Sequence, residues 1–416
     1  MTRPPSPSTE PSSILHLYAE LLLHIRTVTL FASLRTAHTS ETKAVLSADG
    51  ETLTLTHEGH SASIRLPTQI AGGGSAALML PQAPSKELTL RLQLKEKSPG
   101  LLRLRQGAEN VVPWDAQQLE KAESVKCAKC GAQLASTRVG VKSWLDLPNE
   151  NWAEMMDFWH CHKPDEHNHG DHGHEGHEKG YAASNRLMAK KGVGFVDLAY
   201  LLLAEEDCIG VKLVTHSSLD QQSHLLCSSC YTQVGLFDHR SNGFRLWKGS
   251  LSVVRKGMPS PQSYSPIKWI SAQLLSLIDN QGVRKSTVVA DDEPQASKVN
   301  EGGESLEPIE IWVFTPDLSF SSSVPHARES DGHGTADPTR AMKVMWKPAP
   351  HLKPDHEQGQ ALDRLSLSVE EARLPVHVFA ELKKRLRSSG AWIPASAKKM
   401  GEWNVGLLER FAEDEA

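Results

Sequence analysis

No stretch of about 18 consecutive apolar residues occurs in the chain, which excludes a membrane-spanning helix as far as hydropathy can exclude one. Charge of one sign is lacking too. Forty-five Lys and Arg stand against 50 Asp and Glu, a formal net charge of −5, so no general field draws nucleic acid or anionic lipid. No local basic patch replaces it, and neither nucleic acid nor membrane is an expected partner. The first residues, Met1 to Ser13, are rich in Pro and Ser, and Arg3 precedes no apolar signal core. Cysteine is scarce, six in 416 residues, with none after Cys230. Thiols in that number, four of them in two CxxC pairs, fit reduced metal-binding groups better than a disulfide framework. The expected compartments are cytoplasm and nucleus. No internal repeat of fixed period is present.

Hydrophobic residues at 39% and charged residues at 23% are those of a globular chain. Its length allows two or three cores. Residues 14–110 carry the period of half-buried strands: Leu15, Leu17, Ala19, Leu21, Leu23 and Ile25; Leu53 and Leu55; Ile64 and Leu66; then Leu88, Leu90, Leu92 and Leu94 alternate with polar neighbours. The run GVGFVDLAYLLL at 192–203 reads as one buried strand flanked by Gly192 and Gly194. Ile267, Ile270, Leu274 and Leu277 recur at helical spacing behind Ser265 as N-cap and Pro266 at the first helical position. Strands are expected at 309–315 and 342–347. A last helix begins at Pro375, buries Val378, Phe379, Leu382 and Leu386, and stops at Gly390.

The expectation is an α+β chain, mostly antiparallel β in its N-terminal and central regions, with a four-cysteine zinc staple and a mixed α/β C-terminal part. Its divisions are a disordered 1–13, an antiparallel domain 14–110, a Cys- and Trp-rich region 111–260 with a His-rich insertion 163–180, and a region 261–416. The last carries two insertions without apolar period, 291–308 and 321–340.

Chemistry concentrates in the cysteines. Cys127-Ala-Lys-Cys130-Gly131 and Cys227-Ser-Ser-Cys230 each offer two thiolates on one tight turn, the bite a tetrahedral zinc takes from a knuckle. Gly131 would leave room for amides to approach the sulfurs. Separate incomplete sites or free thiols are the alternatives, and a shared structural zinc is the reading adopted. A thioredoxin-type pair is disfavoured because neither CxxC opens a helix in a βαβ pattern. The two remaining thiols are Cys161 and Cys208. Cys161, flanked by His160 and His162, can be activated by an imidazole, whereas Glu205, Glu206 and Asp207 raise the pKa of Cys208. The histidines His167, His169, His172, His174 and His177 alternate with Gly and acidic residues, and read as a solvated segment with adventitious metal affinity.

Between the CxxC pairs runs WLDLPNENWAEMMDFWHCHKP. The order of Cys127, Cys130 and Gly131, then Leu147, Pro148, Glu150, Asn151 and Trp152, then Trp159, Cys161 and His162, then Cys227 and Cys230, resembles the HECT-like family of ubiquitin ligases that bind a ubiquitin-conjugating enzyme. The resemblance extends to SIRLP, ELTLRLQL and LPVHVFAELKKRLRSSGAWIP. It implies a ubiquitin-protein transferase with a conjugating enzyme as partner, promoting ubiquitin transfer to itself or to substrates. HECT ligases carry their acceptor thiol near the C-terminus, where this chain has none, so a ubiquitin thioester would fall to Cys161 or Cys208, with Cys161 the better nucleophile. The resemblance also brings in the metallo-β-lactamase-type endonuclease of pre-mRNA 3′-end processing, which gives an alternative: a non-catalytic inhibitor or assembly factor that offers Cys161 to the partner's zinc. Four roles thus stand open for Cys161: thioester carrier, zinc ligand within this chain, plug for a partner's zinc, or plain packing. It is expected outside the four-sulfur site, on or near the surface in a turn framed by Trp152 and Trp159, which suits an outward-facing ligand or nucleophile.

Overall fold

The computed structural model describes residues 15–22, 25–70, 76–94, 110–137, 139–147, 187–215, 223–258, 260–290, 305–324, 337–349 and 370–415. The chain divides into a terminal unit, Met1–Val111 with Leu277–Asp414, and a central unit, Val112–Ser276 with Glu415–Ala416. Strands dominate both, and nearly all pair antiparallel.

Seven strands come first: β1 (Leu15–Leu22), β2 (Thr27–Leu34), β3 (Lys43–Leu46), β4 (Thr52–His57), β5 (His60–Arg65), β6 (Ala76–Leu78) and β7 (Glu87–Gln93). The period-2 pattern of the sequence is what builds them, except that β1 stops at Leu22 and Ile25, read as part of the same run, lies beyond it and is 59% exposed. Leu15, Leu17, Ala19 and Leu21 of β1 join Val28, Leu30 and Ala32 of β2 and Leu88 and Leu90 of β7 on one face. That face packs on Ala44, Leu46, Leu53, Leu55 and Ile64 of a second sheet ordered β5-β4-β3-β6, a face-to-face arrangement of two half-apolar sheets.

The central unit follows with α1 (Ala116–Leu119), β8 (Ala122–Cys127), β9 (Gln133–Ser136), β10 (Ser143–Asp146), β11 (Val193–Val196), β12 (Tyr200–Leu203), β13 (Val211–Thr215), β14 (Ser223–Cys227), β15 (Gln233–Asp238), β16 (Gly243–Trp247), β17 (Leu251–Arg255), β18 (Gln262–Ser263) and α2 (Pro266–Gln281). One sheet runs β10-β11-β12-β16-β15-β14-β13 and another β18-β17-β8-β9. The stretch 192–203 is two paired strands, β11 and β12, where the sequence suggested one. Gly194 lies inside β11 opposite Trp144 of β10, where a Cβ would stand 2.4 Å from the indole, so the glycine makes room for the buried ring. The Ser265 hydroxyl accepts from the Ile267 amide at 3.3 Å and Pro266 opens α2, as read.

The chain then returns to the terminal unit with β19 (Lys285–Ala290), β20 (Ile309–Ser322), β21 (Thr339–Pro348), β22 (Glu370–Leu374), α3 (Val376–Ser389), β23 (Lys399–Met400) and β24 (Trp403–Glu409). β1 is bonded to β2 on one side and β20 on the other, within the sheet order β23-β24-β21-β20-β1-β2-β7. The segments 14–110 and 261–416, taken as separate regions from the sequence, therefore contribute to one sheet. The back face of that sheet is buried too, with Tyr18, Leu318, Phe320, Trp392 and Leu407 in one cluster. Helices are few among the described residues, so the architecture is mainly β; α3 buries Val378, Phe379, Leu382 and Leu386 as expected, and Gly390 ends it in the right-handed region at φ −60°. Parts of the expected insertions belong to strands: Ser321 and Ser322 lie in β20, and Thr339 and Arg340 in β21. Residues 291–304 and 325–336 lie outside the described residues.

β20 also runs through Pro316, past the expected end at Thr315. Proline has no amide to donate to a ladder, and the strand accommodates it where the register with β21 shifts between Thr315 and Leu318. At this bulge Asp317 accepts from two guanidiniums. Arg340 Nε lies 3.0 Å and Arg410 Nη1 2.7 Å from Asp317 Oδ1, and Arg410 also donates to the Pro316 carbonyl at 3.1 Å. Burial pulls the Arg410 guanidinium down to about 10, against the opposing pull of Asp317.

Candidate metal centre

Both CxxC pairs sit on hairpin tips, Cys127–Cys130 between β8 and β9 and Cys227–Cys230 between β14 and β15. The two tips repeat one backbone pattern. Gly131 N donates to the Cys127 carbonyl and Tyr231 N to the Cys227 carbonyl, each at 2.9 Å; Cys127 N donates to Ala132 O at 2.8 Å and Cys227 N to Thr232 O at 2.9 Å. A ladder irregularity precedes each tip, at Val125/Lys126 and at Leu225/Leu226. The residue after the second cysteine turns left-handed in both, Gly131 at φ +73° and Tyr231 at φ +57°. A Cβ on Gly131 would meet nothing within 4 Å, so this glycine eases a left-handed φ and does not serve by the room it leaves.

The tips meet. Cys127 Sγ lies 3.8 Å from Cys230 Sγ and Cys130 Sγ 3.6 Å from Cys227 Sγ, with all four sulfurs within 4.8 Å of one another. Tetrahedral coordination with metal–sulfur bonds of about 2.3 Å needs sulfur–sulfur edges of about 3.8 Å. The described geometry fits a single four-sulfur metal ion. Burial above all pushes the Cys127 thiol up to about 12 and raises Cys227, while the Thr232 hydroxyl, 3.4 Å from Cys230 Sγ, helps hold Cys230 down at about 6. Two buried thiols resist ionisation unless a cation compensates their desolvation, which is the service a metal renders.

Because β8 and β14 belong to different sheets, four sulfurs on one ion would fasten the two sheets of the central unit together. Backbone bonds run alongside: Gly210 N donates to Leu134 O at 3.4 Å, Ser228 N to Gly210 O at 3.0 Å, and Ala135 bridges Cys208. Cys208 is thereby placed beside the centre but outside it. Burial first, then Asp207 and Glu205, hold its thiol far above the ordinary value; the sequence named the carboxylates and missed the larger cause. Trp144 is buried in β10. Cys161, Trp152, Trp159, the LPNENW motif from Pro148 on and the histidines 167–177 lie outside the described residues. Sequence reasoning missed Thr232 and Tyr231. Aligning the two CxxC turns would have marked Tyr231 as standing where Gly131 stands.

Comparison with known proteins gives consistent results. The family described as HECT-like ubiquitin-conjugating enzyme (E2)-binding matches residues 20–405. An uncharacterized protein of Schizosaccharomyces pombe is 26% identical over 312 residues, covering 72% of this chain and 78% of the relative. An uncharacterized protein of Saccharomyces cerevisiae is 22% identical over 70% of this chain and 71% of its own length. A Bos taurus protein named as an E3 ubiquitin-protein ligase is 21% identical over 392 residues, 88% of this chain and 90% of the relative. No solved structure matches.

Proposed function

The chain belongs to the HECT-like ubiquitin-conjugating enzyme (E2)-binding family, and from that premise we propose that it acts as a ubiquitin ligase-type protein, holding a charged conjugating enzyme and promoting ubiquitin transfer to itself or to substrates. The observation that carries this reading is the family match from residue 20 to 405. The bovine relative, aligned over 88% of this chain and named a ubiquitin-protein ligase, supports it.

Zinc is the metal proposed for Cys127, Cys130, Cys227 and Cys230, since four thiolates in a tetrahedron suit it. Such a set leaves no coordination position for water or substrate, so the ion's role is to staple the fold. Among the described residues, four thiols then serve the metal and Cys208 is held protonated. Cys161 is the thiol left for covalent transfer, and we assign it that role. Its thiolate attacks the carbonyl carbon of the enzyme-bound ubiquitin thioester; a new C–S bond forms, the old one breaks, and the conjugating enzyme leaves as its thiolate. A lysine amine then attacks the same carbon, loses its proton to solvent and releases Cys161.

The test is lysine discharge from charged conjugating enzymes by wild type, Cys161→Ser and Cys208→Ser. Wild type and Cys208→Ser should accelerate discharge and form a ubiquitin adduct that reductant removes; Cys161→Ser should form none and match the conjugating enzyme alone. Full activity of Cys161→Ser would overturn the thioester role. Failure of wild type to accelerate any discharge would overturn the ligase reading.

A further inference from the structure

Tyr231 occupies a left-handed backbone position at φ +57°, and its side chain is 65% exposed. At the equivalent point of the other tip stands Gly131. A bulky residue in this region is strained where glycine is not, because its Cβ crowds the neighbouring carbonyl oxygen. An exposed ring returns little of that strain through packing.

A second apolar side chain stands at the same tip. Ile209, also 65% exposed, precedes Gly210, whose carbonyl takes the Ser228 amide of the Cys227–Cys230 turn. Gly210 lies so close to the other hairpin that a Cβ there would stand 1.8 Å from the Gln133 carbonyl oxygen, and its own amide donates to Leu134 O at 3.4 Å. The position of Ile209 is therefore fixed against the tip. Exposed lysines stand on the segments bonded to this stretch of chain: Lys212 follows Val211, which pairs with Cys227, and Lys191 and Lys142 flank Gly192, whose amide donates to Asp207, two residues before Ile209. With Lys190 they outnumber the exposed Glu205 and Glu206. An apolar centre on a rigid, metal-fastened turn with a polar, mainly basic rim has the anatomy of a protein interface.

We propose that Tyr231 and Ile209 form the docking point for the ubiquitin-conjugating enzyme, received through an apolar face with acidic side chains opposite the lysine rim. This rests on the ligase reading above, and on the family's binding of conjugating enzymes for the choice of occupant. Charge complementarity sets the character of the partner's face.

The experiment measures binding of the full chain to a panel of recombinant ubiquitin-conjugating enzymes at low and high salt. Tyr231→Gly keeps the backbone conformation and removes the ring, so its thermal midpoint should equal or exceed that of wild type while affinity falls about tenfold or more. Ile209→Ser should weaken binding comparably. A Lys142→Glu, Lys191→Glu pair should weaken it chiefly at low salt. Wild-type affinity in both Tyr231→Gly and Ile209→Ser would overturn the docking point while the ligase reading stands. Absence of binding by wild type to any conjugating enzyme would overturn both.

Discussion

Cys227→Ser should release the metal and unfold the central unit. Cys227 is fully buried, its sulfur lies 3.6 Å from Cys130 Sγ, and a serine hydroxyl there cannot replace a thiolate at a four-sulfur centre. Structural zinc contributes about 10–16 kcal/mol in zinc-finger peptides, comparable with the whole net stability of a domain, about 5–15 kcal/mol. Elemental analysis should find one zinc per wild-type chain and none in the variant. Hydrogen exchange should show β8, β9, β14 and β15 losing protection, and a chelator should reproduce the effect on wild type. Stripping should be easier at low pH, because protons compete for the sulfurs. Native protection in a metal-free variant would sink the staple.

Asp317→Ala carries the second large effect, in the terminal unit. Asp317 is 8% exposed and lies between Arg340 and Arg410, whose side chains are 13% and 4% exposed. Removing the carboxylate leaves two like charges facing each other away from water, and breaking a buried ion pair from one side costs about 3–5 kcal/mol. Chemical denaturation of Asp317→Ala should show that loss with an unchanged slope. Arg410→Met with Asp317→Asn should recover part of it, since the charges are then removed together. A loss below about 1 kcal/mol would mean that solvent reaches the cluster and screens it.

The parts of this molecule that were legible in the sequence are those set by near neighbours in the chain. Alternation in β1, β4 and β7 marked strands because each needs only its own period. The two CxxC turns marked a candidate metal centre because the bite of a ligand pair is local, although their meeting depends on the packing of two sheets. Pro316 misled because its missing donor ordinarily ends a strand, and only the bulge shared with β21 carries β20 onward. Asp317, Arg340 and Arg410 gave no signal, being scattered polar residues until the bulge gathers them. The pairing of β1 with β20 was hidden for the same reason: strand periodicity states which face is apolar and says nothing about the partner.

That pairing has a consequence for how the protein is made. The strand that covers the second edge of β1, at Ser319 to Ser322, is translated some 300 residues after β1 itself. At about 5–20 residues per second, the wait is on the order of tens of seconds. Throughout it β1 and β2 can pair with each other while the outer edge of β1, with its unpaired backbone N–H and C=O groups, stays open to any passing strand. A chaperone that shields sheet edges should therefore lower the aggregated fraction of the nascent chain, and slowing translation after β7 should raise it without altering the stability of what finally folds.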